Sequence, residues 1–455
     1  IGHGWRMLME CLAAGRGISL PATSTGGAKL VARAVGAYAA IRKQFGLAIG
    51  RFEGIEEPLA RIGGFTYLME ATRRFIVGGL DAGSNPPVVT AMAKFEFTEL
   101  YRNIINDGMD VCGGAAISRG PNNLLANGYC GTPISITVEG ANILTRTLMV
   151  FGQGAIRCHP YAFREIEASE NNDRVAFDHA FWGHVGHVIR NGFRSVLLSV
   201  TRGRIATSPV SGPAAPYWRR LSWSSATFAL FADFAMAGLG GDLKRKEKIT
   251  GRYADVFAWM LLVSATLRRF QADGSKPEHV PLMQWACEYA FGQMQTAFQG
   301  LLQNLRMPGA ALLRGPVRLW SRINPIGSGP SDHVGGKVAR MLLTPGADRD
   351  ALTNGCFVPE DARVGLGRLE HAFELCAAAE PIHKKLKDAI RAGTLEKAPI
   401  GKLIERAVAE SILDPSEVEQ LRRAEAAREE AIQVDAFSLA DYLATAHAAN
   451  EPVSP

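Results

Sequence analysis

The sequence predicts an all-α protein, built as a four-helix bundle followed by a long helical extension. Hydrophobic residues recur at helical spacing through several long stretches. Segments rich in turn residues, such as 81–87 (DAGSNPP), separate these stretches. Four long antiparallel helices form a bundle, because each helix buries its apolar face against the others.

The predicted bundle occupies residues 1–164 and contains four long helices and one short one. We expect the long helices at 7–45, 55–80, 88–111 and 141–156, and the short one at 122–129. Pro21 interrupts the first helix, and the Gly113–Gly114 pair ends the third. The second helix carries an apolar stripe made of Leu59, Ile62, Phe65, Leu68 and Met69.

The predicted extension occupies residues 165–455 and is also helical. We expect helices at 222–237, 253–269, 280–305, 400–412 and 415–432, a linker at 171–173 and a loop at 208–216. The first three of these helices have wide apolar stripes, which indicates that they are packed against other elements. A spanning helix needs about 20 apolar residues, and Asp233 interrupts one of the longest apolar runs.

Composition restricts the class of protein only loosely. The chain has 455 residues, of which 47% are hydrophobic and 21% charged, as in ordinary globular proteins. The net charge of +6 is compatible with an anionic ligand or an anionic membrane surface, and we expect no nucleic-acid partner. The seven cysteines are scattered without CxxC pairing, which indicates reduced thiols in a cytosol-facing protein and argues against a zinc site.

One carboxylate stands at a turn where chemistry could occur. Residues 134–146 (ISITVEGANILTR) run from β-branched residues into a helix, with Glu139 at the turn. Gly140 lets a ligand approach the backbone closely. Glu139 could act as a base at the helix start, or it could be a helix-terminal charge stabilised by the helix dipole. The local pattern alone favours the second interpretation.

Three motifs in order resemble those of the acyl-CoA dehydrogenase family. Residues 138–146 (VEGANILTR) are similar to the family's catalytic segment. Residues 42–46 (RKQFG) are similar to its R-x-x-F-G motif, and residues 110–114 (DVCGG) to its Q-x-x-G-G motif. From about residue 165, the chain resembles the C-terminal region of the long bacterial fatty acyl-CoA dehydrogenases of the FadE type.

This resemblance implies FAD-dependent α,β-dehydrogenation of medium- or long-chain acyl-CoA to trans-2-enoyl-CoA in fatty-acid β-oxidation. Glu139 would remove the α-proton, and its backbone N–H would hold the thioester oxygen. Arg16 and Gly140 would position the substrate, although Arg16 could equally make a plain helix ion pair. Some branches place the base immediately before this arginine, but Gly15 stands there in this sequence.

The resemblance also implies an FAD site shared across a homodimer. The residues that would reach the partner's FAD are Arg42, Gln44, Phe45, Gly113 and Gly114. The alternative for residues 42–46 is a helix C-terminal cation followed by a Gly46 cap. The sequence departs from the family pattern at Glu53, Asp110 and Ala141, where Gln, Gln and Thr are frequent.

The first residues resemble an internal junction of the family. The sequence begins at Ile1 without Met, and residues 1–5 (IGHGW) are similar to the junction between the β-domain and the last helical domain. We therefore expect a fragment from which the N-terminal helical domain and the β-domain are absent.

The resemblance further implies that an electron-transfer flavoprotein accepts the electrons. The alternatives are an acyl-CoA oxidase, which uses oxygen, and a helical scaffold without flavin.

Two further groups of residues carry charge patterns of interest. Arg314, Arg318 and Arg322 recur every fourth residue, interleaved with apolar residues that include Trp320. Residues 308–326 could therefore be an interfacial helix on the inner face of the cytoplasmic membrane or an ordinary packed amphipathic helix, and we expect a cytoplasmic protein in either case. His179, His184 and His187 lie near Asp178; we expect surface or interface histidines there, and no metal.

Overall fold

The computed structural model describes residues 2–84, 86–154, 158–305, 311–441 and 443, and these are almost entirely helical. In this part of the chain the strands are Lys43–Gln44 and Leu47–Ala48, which form one antiparallel hairpin. The predicted all-α class is confirmed.

The helices of the first unit match the predicted ones within a few residues, with two exceptions. Their bounds are α1 Gly4–Ile41, α2 Glu53–Asp81, α3 Pro87–Cys112, α4 Gly114–Ile117, α5 Ala126–Thr137 and α6 Asn142–Leu144. The helix predicted at 122–129 instead begins at Ala126 and includes the β-branched residues that precede Glu139. The last predicted helix is a π-helical segment, Thr145–Gln153, and the predicted end at residue 156 falls outside the described residues.

Helices of the extension follow in a second series. Their bounds are α7 Ala162–Glu170, α8 Arg174–Val200, α9 Ala215–Leu239, α10 Glu247–Ala272, α11 Val280–Asn304, α12 Ala311–Ile323, α13 Asp332–Leu342, α14 Ala347–Leu352, α15 Gly365–Arg391, α16 Ile400–Ala409 and α17 Pro415–Ala431. Short 3-10 turns occur at Ile49–Arg51, Gly212–Ala214, Gly240–Arg245 and Pro277–His279.

Helices α1 and α3 run parallel, and α2 runs antiparallel to both. Gly17 lies against Thr90, and ten residues further along α1, Gly27 lies against the ring of Tyr101. In the opposite direction, Arg61 near the start of α2 makes a bidentate ion pair with Asp107 near the end of α3. The starts of α1 and α3 therefore share one end of the bundle.

Helix α2 is buried on all sides because the extension packs against it. The predicted stripe is buried, and so are residues on the opposite face, including Gly64 and Tyr67. Helices α10, α11 and α13 cover that face. A Cβ atom at Gly64 would overlap the ring of Trp285, so only glycine permits this helix contact. One hydrophobic core therefore runs from Ala28 to Phe373 and crosses the predicted boundary at residues 164 and 165, which stays a prediction.

A smaller hydrophobic core forms near the C-terminal end of the described chain. It lies between the second half of α15, α16 and α17, around Leu386, Ile404 and Leu421. Helix α17 begins with a capping box, in which the side chain of Asp414 and the N3 residue Glu417 bond each other's backbone N–H groups. This cap defines where α17 begins after the turn that follows α16.

Residues 171–173, predicted as a linker, form the tight turn between α7 and α8 instead. Asn172 has a positive φ of 53°, and the side chain of Asp173 accepts the backbone N–H of Ala176 as an N-cap. The prediction was wrong because short runs of Asn and Asp mark tight turns as readily as extended linkers.

One helical region has the length and mean hydropathy expected of a membrane-spanning helix, namely Gly212–Arg245. Asp233 lies within it, and its side chain is buried. The hydroxyl of Tyr253 donates to the carbonyl of Phe231 in the same region, at 2.6 Å. Length and composition alone are weak evidence for a span, because packed core helices also have them.

Candidate active site

Glu139 occupies a strained turn between α5 and α6. Its φ is +55°, and Gly140 follows with a φ of +95°. A non-glycine residue in the left-handed region costs about 1–3 kcal/mol, so such a residue persists only where its surroundings hold it. The last N–H of α5, that of Val138, bonds to Ile134, and the N–H of Glu139 makes no hydrogen bond to any described residue. The turn therefore presents a free donor.

The carboxylate of Glu139 also makes no hydrogen bond or ion pair to the residues that the structure describes. Its Oε2 atom is buried without a hydrogen bond in the described part of the chain. Apolar residues beside it are exposed: Val138, Leu144 and above all Ile143, at 79%. Burial of an unpaired carboxylate oxygen is costly, and exposed apolar side chains gain by being covered. Together they favour a ligand that has an apolar part and meets the carboxylate.

Arg16 of α1 lies directly against this turn, and its positioning role stays a prediction. It is buried, and its Nη2 atom would lie 3.6 Å from a Cβ placed on Gly140. Its Nη1 atom lies 3.9 Å from the sulfur of Met149. Burial lowers the pKa of Arg16, and the nearby charge of Glu139 opposes that shift. The guanidinium group makes no ion pair within 4 Å among the described residues, so the plain helix ion pair is absent there.

Lys94 is a site residue that sequence reasoning missed. Its side chain is completely buried, at 0% exposure, and its Nζ atom donates to the carbonyl of Gly140 at 2.8 Å and to Oδ1 of Asn142 at 2.7 Å. Burial, aided by the charge of Arg16, lowers the pKa of Lys94 to about 8, against the opposing effect of Glu139 and Glu99. The available signal was a lone lysine within the apolar run 91–97 (AMAKFEF).

Asn142 extends this network to α3. Its side-chain amide donates to Oγ1 of Thr98 at 2.9 Å and to Oε1 of Glu99 at 2.8 Å. Residues 140 and 142 are thus both bonded to side chains of one helix. The turn that carries Glu139 is therefore fastened to α3.

The π-helical segment after the turn is anchored on the extension. Arg146 makes a bidentate ion pair with Asp255 of α10, and the hydroxyl of Thr250 donates to the carbonyl of Thr147. Beneath this pair, burial and the charge of Asp255 raise the pKa of Glu96 well above its usual value, although Arg146 opposes the shift. π-Helical turns occur often at functional sites, and this one ties the site to residues more than 100 positions later.

The predicted FAD contacts lie on a hairpin at the end of α1. Helix α1 ends at Ile41, so Gly46 does not cap it, and that alternative interpretation is wrong. Phe45 and Gly46 have φ values of +51° and +80° and form a two-residue turn of the type I′ kind. Phe45 is 95% exposed, and Gln44 beside it is exposed as well. An apolar ring held out in this way is suited to contact another surface.

Gly113 and Gly114 lie at the same end of the bundle as this hairpin. Because α1 and α3 run parallel, as the contacts of Gly17 with Thr90 and of Gly27 with Tyr101 show, their C-terminal ends share one end of the bundle. Gly113 has φ +55° and ψ −128°, a conformation essentially restricted to glycine. A Cβ on either glycine would meet no atom within 4 Å, so space is open above both.

The structure does not bring the two groups of predicted site residues together. Lys94, which bonds to the Glu139 turn, lies on α3, and Gly113 is the C-cap of the same helix, 19 residues later. At 1.5 Å per residue the two ends are roughly 28 Å apart along the helix. A single flavin ring beside Glu139 is too small to make both sets of contacts at once. The two sets therefore belong to different sites or to opposite ends of a long cofactor.

Within the segment predicted at 308–326, residues 311–323 form helix α12, and residues 308–310 fall outside the described residues. The side chain of Arg314 falls outside the described residues; Arg318 is half-buried and Arg322 exposed, and neither has an acidic partner within 4 Å among the described residues. Trp320 donates through Nε1 to the hydroxyl of Ser199 at 2.7 Å, which docks α12 on α8. Leu319 and Ile323 remain exposed. The contact of Trp320 with α8 fits a packed amphipathic helix, whereas the exposed apolar residues and the arginines fit an interfacial membrane helix.

The histidines form a different cluster from the one predicted. His179 is exposed, whereas His184 joins His159 and Asp233. Nδ1 of His184 lies 2.8 Å from Glu165, and Nε2 of His159 lies 2.9 Å from Asp233. Nδ1 of His159 accepts backbone N–H groups, which leaves its proton on Nε2 in the neutral ring. Nε2 of His159 and both carboxylate oxygens of Asp233 are nevertheless buried without a hydrogen bond to any described residue. The expected absence of a metal stays a prediction.

Comparisons with known proteins find matching family models and a relative. The chain matches two family models, "Acyl-CoA dehydrogenase, C-terminal domain" at residues 2–150 and "Acyl-CoA dehydrogenase, C-terminal, bacterial type" at residues 156–437. It is 24% identical over 319 residues to the probable acyl-CoA dehydrogenase FadE10 of Mycobacterium tuberculosis, covering 67% of this chain and 48% of that protein. The chain thus spans about half the length of this relative.

A solved structure shares the fold. The acyl-CoA dehydrogenase of Bacillus anthracis, solved in complex with FAD, superposes with a TM-score of 0.59 at 16% identity, covering 76% of this chain and 58% of that one. A 36-residue stretch is also 67% identical to the protein HemX of Proteus mirabilis, but it covers only 8% of this chain. Such a short match indicates nothing about the rest of the chain.

Proposed function

Because this chain belongs to the acyl-CoA dehydrogenase family, in its bacterial-type C-terminal form, we propose that it serves FAD-dependent dehydrogenation of acyl-CoA. The reaction would convert medium- and long-chain acyl-CoA to trans-2-enoyl-CoA in fatty-acid β-oxidation. The observation that carries this proposal is Glu139, whose carboxylate oxygen Oε2 and backbone N–H both lack partners among the described residues, beside an exposed apolar surface.

In the proposed mechanism, Glu139 removes the proton from Cα of the acyl thioester. Its backbone N–H donates to the thioester oxygen, where negative charge develops, and a preorganised donor at that atom lowers the barrier. Arg16 and Gly140 border the turn and limit where the thioester lies. Exposed Ile143 and Leu144 offer an apolar surface to the acyl chain. FAD, when bound, accepts the hydride that leaves Cβ.

The second group of residues fits an FAD contact from a neighbouring subunit. Arg42 offers a planar fork of donors suited to a diphosphate, and the open backbone at Gly113 and Gly114 admits a ligand close to the chain. Exposed Gln44 and Phe45 complete the group. Because these residues lie roughly 28 Å along α3 from the Glu139 turn, we propose a homodimer in which they contact the partner's FAD.

We propose an electron-transfer flavoprotein as the electron acceptor, with an acyl-CoA oxidase as the alternative. Peroxide yield under air distinguishes them, because an oxidase releases about one peroxide per product and a dehydrogenase releases little. A second alternative is a helical scaffold without flavin. The strained backbone at Glu139 and Gly113 favours the catalytic interpretation over the scaffold. A purely structural protein has no use for either strained conformation, whereas such conformations cluster at binding and catalytic sites.

The test of the proposed function uses the protein expressed from its complete gene. We expect it to purify with a flavin absorbance spectrum, which palmitoyl-CoA bleaches in the absence of oxygen. A flavin that palmitoyl-CoA leaves oxidised would contradict the proposed substrate class. A protein that takes up no flavin would favour the scaffold.

We further propose a cytoplasmic protein that binds peripherally to the inner face of the cytoplasmic membrane through residues 308–326. Exposed Leu319 and Ile323 support this proposal, as do Arg318 and Arg322, which have no acidic partner within 4 Å in the described part of the chain. We expect co-sedimentation with anionic liposomes that falls at least several-fold when Arg314, Arg318 and Arg322 are all changed to Glu. Arg391→Glu, an exposed arginine on α15, is the control. Equal binding by the triple variant would remove the basis for this proposal.

A further inference from the structure

We propose that Lys94 is a positioning residue of this active site. Its buried ammonium group holds the carbonyl of Gly140 and the side chain of Asn142, and so keeps Glu139 in its left-handed conformation. The inference rests on the proposed function of Glu139 and adds to it the residue on which the geometry of the base depends.

The bonding of Lys94 differs from that of an ordinary buried lysine. Lys29, also buried, makes an ion pair with Glu70 at 3.1 Å. Lys94 has no carboxylate within 4 Å among the described residues, and both of its acceptors are neutral oxygen atoms of the Glu139 turn. Burial of an ammonium group without a counterion is expensive. A neutral side chain at this position of α3 would avoid the free-energy cost of burying a charge. That cost therefore indicates that the lysine has a role at the turn.

Lys94 makes two of the hydrogen bonds that hold the turn to α3. The carbonyl of Gly140 accepts one further bond among the described residues, from the hydroxyl of Thr145 at a long 3.3 Å. The other anchor is Asn142, and Lys94 itself donates to the side chain of Asn142. Removing the lysine therefore removes the short bond to the carbonyl of Gly140 and the bond to Oδ1 of Asn142. The two bonds from the Asn142 amide to Thr98 and Glu99 remain. The positive φ values at residues 139 and 140 would then relax toward ordinary backbone conformations.

Protonation of Lys94 makes this role measurable. The titratable and charged groups that face it are Arg16 on α1, Glu99 on its own helix and Glu139 on the turn. Burial and Arg16 lower the pKa of Lys94 to about 8, so the ammonium form is lost within the range in which the enzyme can be assayed. Loss of that proton removes the charge that strengthens both hydrogen bonds. The rate of flavin reduction should fall as the pH rises above about 8.

The experiment compares Lys94→Met and Lys94→Arg with wild type in the flavin-containing protein. We expect Lys94→Met to slow flavin reduction by palmitoyl-CoA about 10- to 100-fold while its Kd for palmitoyl-CoA changes less than about threefold. We expect Lys94→Arg to recover part of the rate and to remove the decline above pH 8, because arginine stays charged. Lys29→Met is the matched control, which should lower stability and leave the pH profile unchanged.

A second readout does not require activity. Amide hydrogen exchange at residues 138–145 should accelerate at least about tenfold in Lys94→Met and stay unchanged in Lys29→Met. Unchanged exchange in Lys94→Met, a flat wild-type rate between pH 8 and 9.5, or an equal decline in Lys94→Arg would overturn the proposal. If Glu139→Gln reduces its flavin as fast as wild type, the proposed function fails, and the exchange data still decide whether Lys94 holds the turn.

Discussion

At the scale of single residues, this protein combines conformational strain with groups left unpaired. Glu139 adopts a strained left-handed conformation, and one of its carboxylate oxygens and its N–H have no partners in the described chain. Gly113 holds a conformation essentially restricted to glycine, with open space above it. These two positions coincide with two of the three motifs found in the sequence. Strain at both is consistent with sites retained for a ligand.

Gly113→Ala tests the backbone requirement at the second site. We expect the free energy of unfolding to fall by about 1–3 kcal/mol, because alanine is strained at φ +55° and ψ −128°. Urea unfolding of the purified protein measures it. Gly114→Ala is the control, since its Cβ also meets no atom within 4 Å and it is the first residue of α4. Equal stability of the two variants would contradict the assigned strain.

The residue types of the site were predictable only in part. The motifs and the family resemblance single out Glu139, Gly140 and Arg16; the first two form one turn, and Arg16 of α1 lies against it. Lys94 was missed because a helical lysine is usually solvated, and its partners lie 46 and 48 residues later in the chain. His159 was missed because its partner Asp233 is more distant still. Local patterns carry no information on such pairs.

At the scale of elements, periodicity located the helices but not what covers them. The second predicted helix shows one apolar stripe, whereas α2 is buried on all sides. The second buried face contains small and polar residues such as Gly63, Gly64 and Thr66, which do not read as an apolar stripe. They are buried because α10, α11 and α13 pack there. Close packing against glycine thus takes the place of large apolar side chains.

Gly64→Ala should disrupt this packing. An added Cβ would lie 1.9 Å from the ring of Trp285, so we expect a loss of about 1–3 kcal/mol in the free energy of unfolding. Gly78→Ala in the same helix is the matched control. Its Cβ meets nothing within 4 Å, and alanine should stabilise the helix there by about 0.5–1 kcal/mol. Thermal unfolding measures both variants. A lower stability of Gly78→Ala, or an unchanged stability of Gly64→Ala, would show that α2 and α11 pack differently from this account.

At the scale of the whole molecule, the extension and the bundle share one core and several buried ion pairs. Arg349 and Arg33 both pair with Glu370 of α15, which joins α1 to the C-terminal part of the chain. Within the bundle, Glu70 pairs with Lys29 and with two arginines of its own helix. Composition did not predict the pairs of Glu370 or the pair of Lys29 with Glu70, because their members are separated by tens to hundreds of residues.

The Glu70 cluster predicts an acid-dependent loss of stability. Burial alone would raise the pKa of Glu70, but hydrogen bonds from Arg73 and Arg74 and the charge of Lys29 outweigh it and lower the pKa from 4.5 to about 2. The folded state therefore holds this carboxylate charged where the unfolded state takes up a proton. Its stabilising contribution is complete above about pH 4.5 and is lost as the pH falls through about 2.

Urea unfolding between pH 3 and pH 6 measures this dependence. We expect a smaller slope of stability against pH in Glu70→Gln than in wild type, together with lower stability at pH 6, because the cations lose their partner. Glu57→Gln, at an exposed ion pair, should leave the slope unchanged. A wild-type slope in Glu70→Gln would assign the acid sensitivity to other carboxylates.

The central claim is that Glu139 is the base, and its most direct test is flavin bleaching in wild type and Glu139→Gln. Both proteins, expressed from the complete gene, would receive palmitoyl-CoA without oxygen. We predict that wild type bleaches, whereas Glu139→Gln retains its flavin and bleaches at least about a hundredfold more slowly. Equal bleaching of the two proteins would contradict the account and place the base elsewhere.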